Sequence, residues 1–187
     1  MNDPKKVLAL VTPEALASFP VLVTPKPTAE GAEPKYQLTL VFDKAAQQSP
    51  EFRALKAAAE KAAKDKWGTE MPRKLKSPFL TVDDLNNVPD GYDDDCVFIR
   101  TTSKNKPQVV GRDPSVKIDA AEVYPGMVVR ASVRPYAWSH KTGGNGVSFG
   151  LGNVQIIRDG RRLGGSGAKP EEEFSALPES TGDDPFA

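Results

Sequence analysis

The clearest signal in this chain is apolar and polar residues alternating with a period of two. In the segment at 35–42, KYQLTLVF, Tyr36, Leu38, Leu40 and Phe42 fall on one face, and Thr39 and Val41 add β-branched character, so a strand is predicted. Similar patterns predict strands at 96–101, 107–111, 126–138 and 146–157. The N-terminal 7–23 adds one or two more, interrupted by Pro13 and Pro20. One segment follows the helical period instead. Ser49 is placed to N-cap it, Pro50 suits the first helical position, and Glu51 favours the positive helix end. Phe52, Leu55, Ala59, Ala62 and Ala63 then share a face, and Gly68 provides a stop. Residues 69–95 show no period and contain Pro72, Pro78, Pro89 and Gly91, which predicts a long irregular connection. Several strands around a single helix indicate a mainly β fold, a small barrel with a helical plug or a related small sandwich. Helical patterns between the strands are too few for a doubly wound sheet.

The length of 187 residues suits one domain, placed at 1–165, and a tail at 166–187. From about residue 164 the chain turns to Gly, Ser, Pro and Glu, which predicts disorder. No stretch approaches the ~20 apolar residues of a membrane span, so no membrane association is expected. The N-terminal apolar run is broken by Pro13, Glu14 and Pro20, and no signal peptide is read there. Cys96 is the single cysteine and His140 the single histidine. They leave no disulfide within the chain, fit a reducing cytoplasm, and fall short of the ligands most zinc sites need. They lack the surroundings of a nucleophilic pair.

Charge changes the picture. The net charge is zero, with 25 acidic and 25 basic residues. Glu171, Glu172, Glu173, Glu179, Asp183 and Asp184 lie in 170–187, where there is no Lys or Arg. Removing those six carboxylates leaves 19 acidic residues against all 25 basic ones, so the body carries +6 and the tail −6. A basic body with an acidic tail fits nucleic acid or an acidic partner, and equally an ordinary domain with a solvated tail.

The strand at 127–138 is the most informative. Val129, Ala131 and Val133 form an apolar face. Arg130, Ser132, Arg134, Tyr136 and Trp138 form the opposite one, provided Pro135 does not shift the register. Cations for phosphates and flat rings for unpaired bases are what single-stranded nucleic acid requires. The strand at 96–101 repeats the grouping with Phe98 and Arg100, and Lys104, Lys106 and Arg112 follow. His140 and Lys141 extend the basic character into the hairpin SHKTGGNG. Arg130, Arg134, Arg100, Lys104, Lys106, Arg112 and Lys141 are therefore candidates for phosphate contact. Tyr136 and Trp138 are candidates for base stacking, and Phe98 is balanced between stacking and packing. Tyr36, Phe149 and Trp67 are expected in the core.

Other motifs are weaker. The aspartates at 83, 84, 90, 93, 94 and 95 suit a divalent cation by ligand type, but lack the spacing of a calcium loop and any companion nucleophile. They are read as turn formers, and no metal, cofactor or catalytic residue is expected. The glycines of GGNG and DGRRLGG do not follow phosphate-loop spacing and are read as turns. The tail ends in Asp183, Asp184, Pro185 and Phe186, a signal that suits either the protein's own basic groove or an apolar, basic-rimmed pocket of a partner.

The run VYPGMVVRASVRPYAW, the run GVSFGLGNVQIIRDGRRLGG and the alanine-lysine helix ending in Trp67-Gly68 together resemble bacteriophage-encoded single-stranded DNA-binding proteins with an OB fold. The likeness spans roughly residues 7–165. It implies an OB-type five-stranded barrel with one inserted helix. It also implies a non-enzymatic protein that coats single strands during phage replication or recombination in the cytoplasm of the infected bacterium. The DDPF ending resembles the partner-recruiting tail of bacterial single-stranded DNA-binding proteins, although Ala187 follows Phe186 here. Replication or recombination proteins are thus expected partners of the tail. Two further readings stay open: a metal-dependent nuclease using the Asp83–Asp95 cluster, and an adaptor acting through its tail without binding DNA. Oligomeric state is not indicated.

Overall fold

The computed structural model of the chain describes residues 10–164 together with Ser175. Its strands are β1 (Leu10–Val11), β2 (Ala15–Pro27), β3 (Pro34–Phe42), β4 (Leu75–Lys76), β5 (Val97–Ser103), β6 (Val109–Val110), β7 (Lys117–Ile118), β8 (Val128–His140) and β9 (Gly144–Arg158). The helices are α1 (Lys44–Gln47) and α2 (Pro50–Trp67).

Five of these strands close a ring. β2 pairs with β3, β3 with β5, β5 with β9, β9 with β8, and β8 returns to β2. All of these pairings are antiparallel except β5–β9, which is parallel. The result is an OB-type barrel. The segment expected at 107–111 contributes only the two-residue β6, outside the ring, and β2 is the fifth barrel strand. Pro13 precedes β2, and Pro20 and Pro25 fall within its two register shifts, after Ser18 and after Val21. At the first shift Phe19 takes a left-handed backbone (φ 46°) and turns its ring outward.

Alternation sets the barrel interior. Leu38, Leu40, Phe42, Ile99, Val129, Ala131, Val133, Phe149 and Val154 are buried in one core. Thr101 is buried among them because its hydroxyl donates to the Leu38 carbonyl at 2.7 Å, which offsets its desolvation.

The helix forms where its signals stand. Ser49 Oγ accepts from the Phe52 amide at 3.1 Å, a cap worth about 1 kcal/mol. Gly68 ends the helix with φ 53°, donating to the Lys64 carbonyl at 2.8 Å. Phe52, Leu55, Ala59 and Ala63 are the buried face, which lies against β1, β8 and β9. A run of ring contacts ties the layers together: Phe42 to Phe52 at 5.2 Å, Phe52 to Phe79 at 5.5 Å, and Phe79 to Phe149 at 5.7 Å. Phe79 thereby anchors the irregular connection to both the helix and the barrel.

A second, smaller cluster lies under the same connection. Val41, Tyr92, Cys96 and Phe98 are buried there, with Leu16 and Leu80 against them. Leu80 exchanges two 2.9 Å backbone bonds with Phe98, and the Tyr92 hydroxyl bonds Ser18 Oγ at 3.1 Å. The long loop predicted at 69–95 is thus held at specific points.

Candidate nucleic-acid interface

The outer face of β8 carries the expected row. Arg130, Arg134 and Tyr136 are exposed, and Ser132 and Trp138 are half-buried. Pro135 does not disturb it, since Arg134, Pro135 and Tyr136 pair in unbroken register with Gly150, Phe149 and Ser148. The pairing shifts register between Val128 and Val129 and again between Ala131 and Val133, where Ser132 Oγ accepts from the Asn153 amide at 2.8 Å.

The partner strand contributes what the sequence reading missed. On β9, Val147, Phe149 and Leu151 point into the core, and Gly146, Ser148, Gly150 and Gly152 occupy the alternate outer positions. Gly150 leaves bare backbone as a floor, Ser132 Oγ stands close over Gly152, and Gly146 is buried beneath Trp138. β8 forms one bank of the resulting trough, and β5 lies along the other, with Thr102 beside Gly150. Large and small residues alternating over 146–152 were the available signal. Gly146 belongs to this strand and not to the turn in which its GGNG run placed it.

Two hollows mark the trough. One, of about 400 Å³, is lined by Arg134, Lys106, Asn105, Ser132, Gly150 and Gly152. The other, of about 530 Å³, is lined by Trp138, Arg100, Lys76, Phe79, Asp84 and Ser148. The Trp138 ring lies against Gly146, its indole N–H donates to Ser148 Oγ at 2.9 Å, and the Lys76 ammonium sits 5.9 Å from the ring centre. Lys76 was not among the expected contacts, because nothing in its local sequence shows that β4 pairs with β9 at Gly146. From Arg130 to Trp138 the row spans about 27 Å at the usual rise of a strand.

The remaining candidates divide. Arg130 Nε donates to Gln155 Oε1 at 2.7 Å, and Gln155 Nε2 donates to the Arg112 carbonyl at 2.9 Å, which gathers both arginines at one end of the trough. Arg100 lies on the outer face of β5, 5.7 Å from the Phe98 ring centre. Lys104 is exposed but paired to Glu33 at 2.9 Å, and that contact holds the Glu33 carboxyl below its ordinary range. Lys141 is exposed at the β8–β9 turn. Its neighbour His140 uses Nδ1 to accept from the Gly143 amide at 3.2 Å.

Phe98 requires correction as a stacking candidate. It is 1 % exposed and packs edge-on against Tyr92 at 5.2 Å, so it offers no face to a base. Its strand lies between the barrel on one side and the 80–96 connection on the other, and both faces of the strand are covered there. Phe149 is buried as expected, and Trp67 and Tyr36 are half-buried. Asp183, Asp184, Pro185 and Phe186 lie outside the described residues.

The aspartates have individual tasks. Asp84 Oδ2 accepts from the Thr81 amide at 2.8 Å. Asp90 forms a two-bond pair with Arg161, at 2.7 and 2.9 Å, and this brings its pKa down to about 2. Among the described residues no three His, Cys, Asp or Glu side chains are grouped to hold a metal ion. Cys96 is buried, and desolvation pushes its thiol pKa up, against the direction a nucleophile needs. Among the described residues no helix is long and apolar enough to cross a membrane.

Comparison with known proteins agrees with this architecture. A family model described as Enterobacter phage Enc34, ssDNA-binding protein, matches residues 8–186. Putative protein p50 of Acyrthosiphon pisum secondary endosymbiont phage 1 is 27 % identical over 168 residues, which is 86 % of this chain and 89 % of that protein. Among solved structures, the single-stranded DNA-binding protein of bacteriophage Enc34 in complex with ssDNA aligns with a TM-score of 0.70 at 21 % identity, over 82 % of this chain and 88 % of that one. The gp2.5 single-stranded DNA-binding protein of bacteriophage T7 aligns at 0.56 and 15 % identity, over 88 % and 93 % of the two chains.

Proposed function

The chain belongs to the Enterobacter phage Enc34 single-stranded DNA-binding protein family, and from that premise we propose that it binds single-stranded DNA along the β8–β9–β5 trough, without catalysis and largely without regard to sequence. The observation that supports this most is the joint placement of Arg134, Tyr136 and Trp138 on β8, opposite Gly150, Ser148 and Gly146 of β9. Bare backbone at Gly150 lets a strand approach closely. The cations attract phosphates, and the aromatics supply stacking worth ~1–3 kcal/mol per base. Arg130, Arg112, Lys106, Arg100 and Lys76 extend the cationic track, with Lys104 and Lys141 at its margins. A duplex has its bases already stacked and presents no free ring faces to Tyr136 or Trp138.

In the infected bacterium such a protein would coat strands exposed during phage replication or recombination. The acidic segment 170–187 would compete with DNA for the trough and recruit partner proteins through Asp183, Asp184, Pro185 and Phe186. The test is competition in a gel-shift assay, where labelled single strand should be displaced by unlabelled single strand and hardly at all by duplex. Equal displacement by duplex would remove the stacking trough as the basis of binding. Partner capture without any DNA affinity would favour the adaptor reading, and EDTA-sensitive strand cleavage the nuclease reading.

A further inference from the structure

A second groove adjoins the trough. It lies between α2 and residues 71–79, measures about 420 Å³, and has Ala59, Ala63, Met71, Leu75, Phe79 and Val147 among its apolar walls. Met71 and Leu75 are 41 % and 36 % exposed, unusual for large apolar side chains that share one hollow. Lys56 and Lys64 stand on the α2 side, one turn to either side of Glu60, and Lys76 on the other. None of the three lysines has a carboxylate within 4 Å among the described residues, in contrast with Lys61, which is paired to Asp65 at 2.6 Å.

The groove is the immediate neighbour of the Trp138 hollow. Both are walled by Lys76, Ser77, Pro78, Phe79 and Val147. Gly146 pairs with Trp138 on one side and with Lys76 on the other, so β4 borders both hollows.

We propose that the single-stranded DNA path does not stop at Trp138 but crosses β4 and continues into this groove. There bases would cover Met71 and Leu75, and phosphates would meet Lys56, Lys64 and Lys76. The proposal rests on the single-stranded DNA reading of the trough. The wall shared with the trough and the sign of the charge argue for this occupant. A cationic rim over an apolar floor is the combination a flexible polyanion with flat bases fits. Glu60 is the one carboxylate among the lining groups, and it weakens the site.

The double variant Lys56→Ala/Lys64→Ala tests it, since both side chains are exposed and the fold does not depend on them. Affinities of the full chain are compared on two oligo-dT lengths, about 8 and about 16 nucleotides, the range of one OB domain. The expected result is unchanged binding of the short strand and about tenfold weaker binding of the long one, with the log–log salt slope reduced by about 1.4 for two lost phosphate contacts. Glu60→Gln should tighten the long strand alone, and Lys61→Ala should change neither. Equal effects on both lengths, or none, would overturn the extended path. A loss seen in the full chain but absent from a chain ending at residue 169 would also overturn it and assign the groove to the acidic tail. Failure of the unmodified chain to bind any single strand would instead bring down the reading on which the path rests.

Discussion

Trp138 lies on Gly146. A β-carbon at position 146 would overlap the indole at Cζ2, so the ring keeps its place only because that residue has no side chain. The pairing register sets the two residues opposite each other, and Ser148 fixes the ring through its N–H. One glycine thereby positions a proposed stacking platform.

Gly146→Ala is therefore expected to impair DNA binding without touching DNA. The displaced indole should lose one stacked base, and the affinity for oligo-dT should fall between about fivefold and a hundredfold, matching Trp138→Ala. Isothermal titration of both variants and of the double variant checks this. Additive losses would show that the two residues act separately.

Arg134→Ala and Arg130→Ala should differ in a measurable way. Arg134 makes no side-chain bond among the described contacts, and its loss should lower the salt slope by about 0.7. Arg130 is held by Gln155. If that bond persists in the complex, Arg130→Ala should change the slope less. Affinities at several salt concentrations give both values.

Phe98→Ala should act on stability alone. The side chain fills the cluster beneath Tyr92 and Leu80, and its removal should cost about 3–5 kcal/mol. Denaturant melts measure that loss. Folded protein should bind single strands with unchanged affinity per active molecule, whereas weaker binding would return Phe98 to the interface.

The Asp90–Arg161 pair gives a pH dependence. The folded pKa of Asp90 is about 2, against an ordinary 3.8. A depressed carboxylate contributes stability that is present above the unfolded value and lost as pH falls through the folded one. Stability should therefore decline between about pH 4 and pH 2, and Asp90→Asn should remove that part of the decline. Both groups are exposed, so the effect should shrink as salt is added.

Removal of residues 170–187 should tighten binding at low salt, because on the proposed competition it removes six negative charges that would contend with phosphate. The gain should vanish as salt is raised. Unchanged affinity at low salt would count against competition.

Much of this was legible in the residues. The period of two located β3, β5, β8 and β9 to within a few residues, and Ser49, Pro50 and Gly68 marked the ends of α2. The outward row of β8 followed from alternation alone. Long-range pairing was not legible. Phe98 and Trp138 look alike in sequence, each an aromatic on a strand face that also carries arginine. What separates them is the connection at 80–96, which folds over Phe98 and leaves Trp138 half open. Lys76 enters the site through a parallel pairing across some 70 residues, which no local pattern reports. β2 was obscured because its bulges break the alternation that identifies a strand.

The most direct test of the central claim is tryptophan fluorescence during titration with oligo-dT, with duplex DNA as control, at two salt concentrations. Salt-sensitive quenching by the single strand that disappears in Trp138→Ala, where Trp67 remains as the internal reference, is the predicted result. Quenching that survives in Trp138→Ala, or that duplex produces equally well, would contradict a stacking trough on β8 and β9.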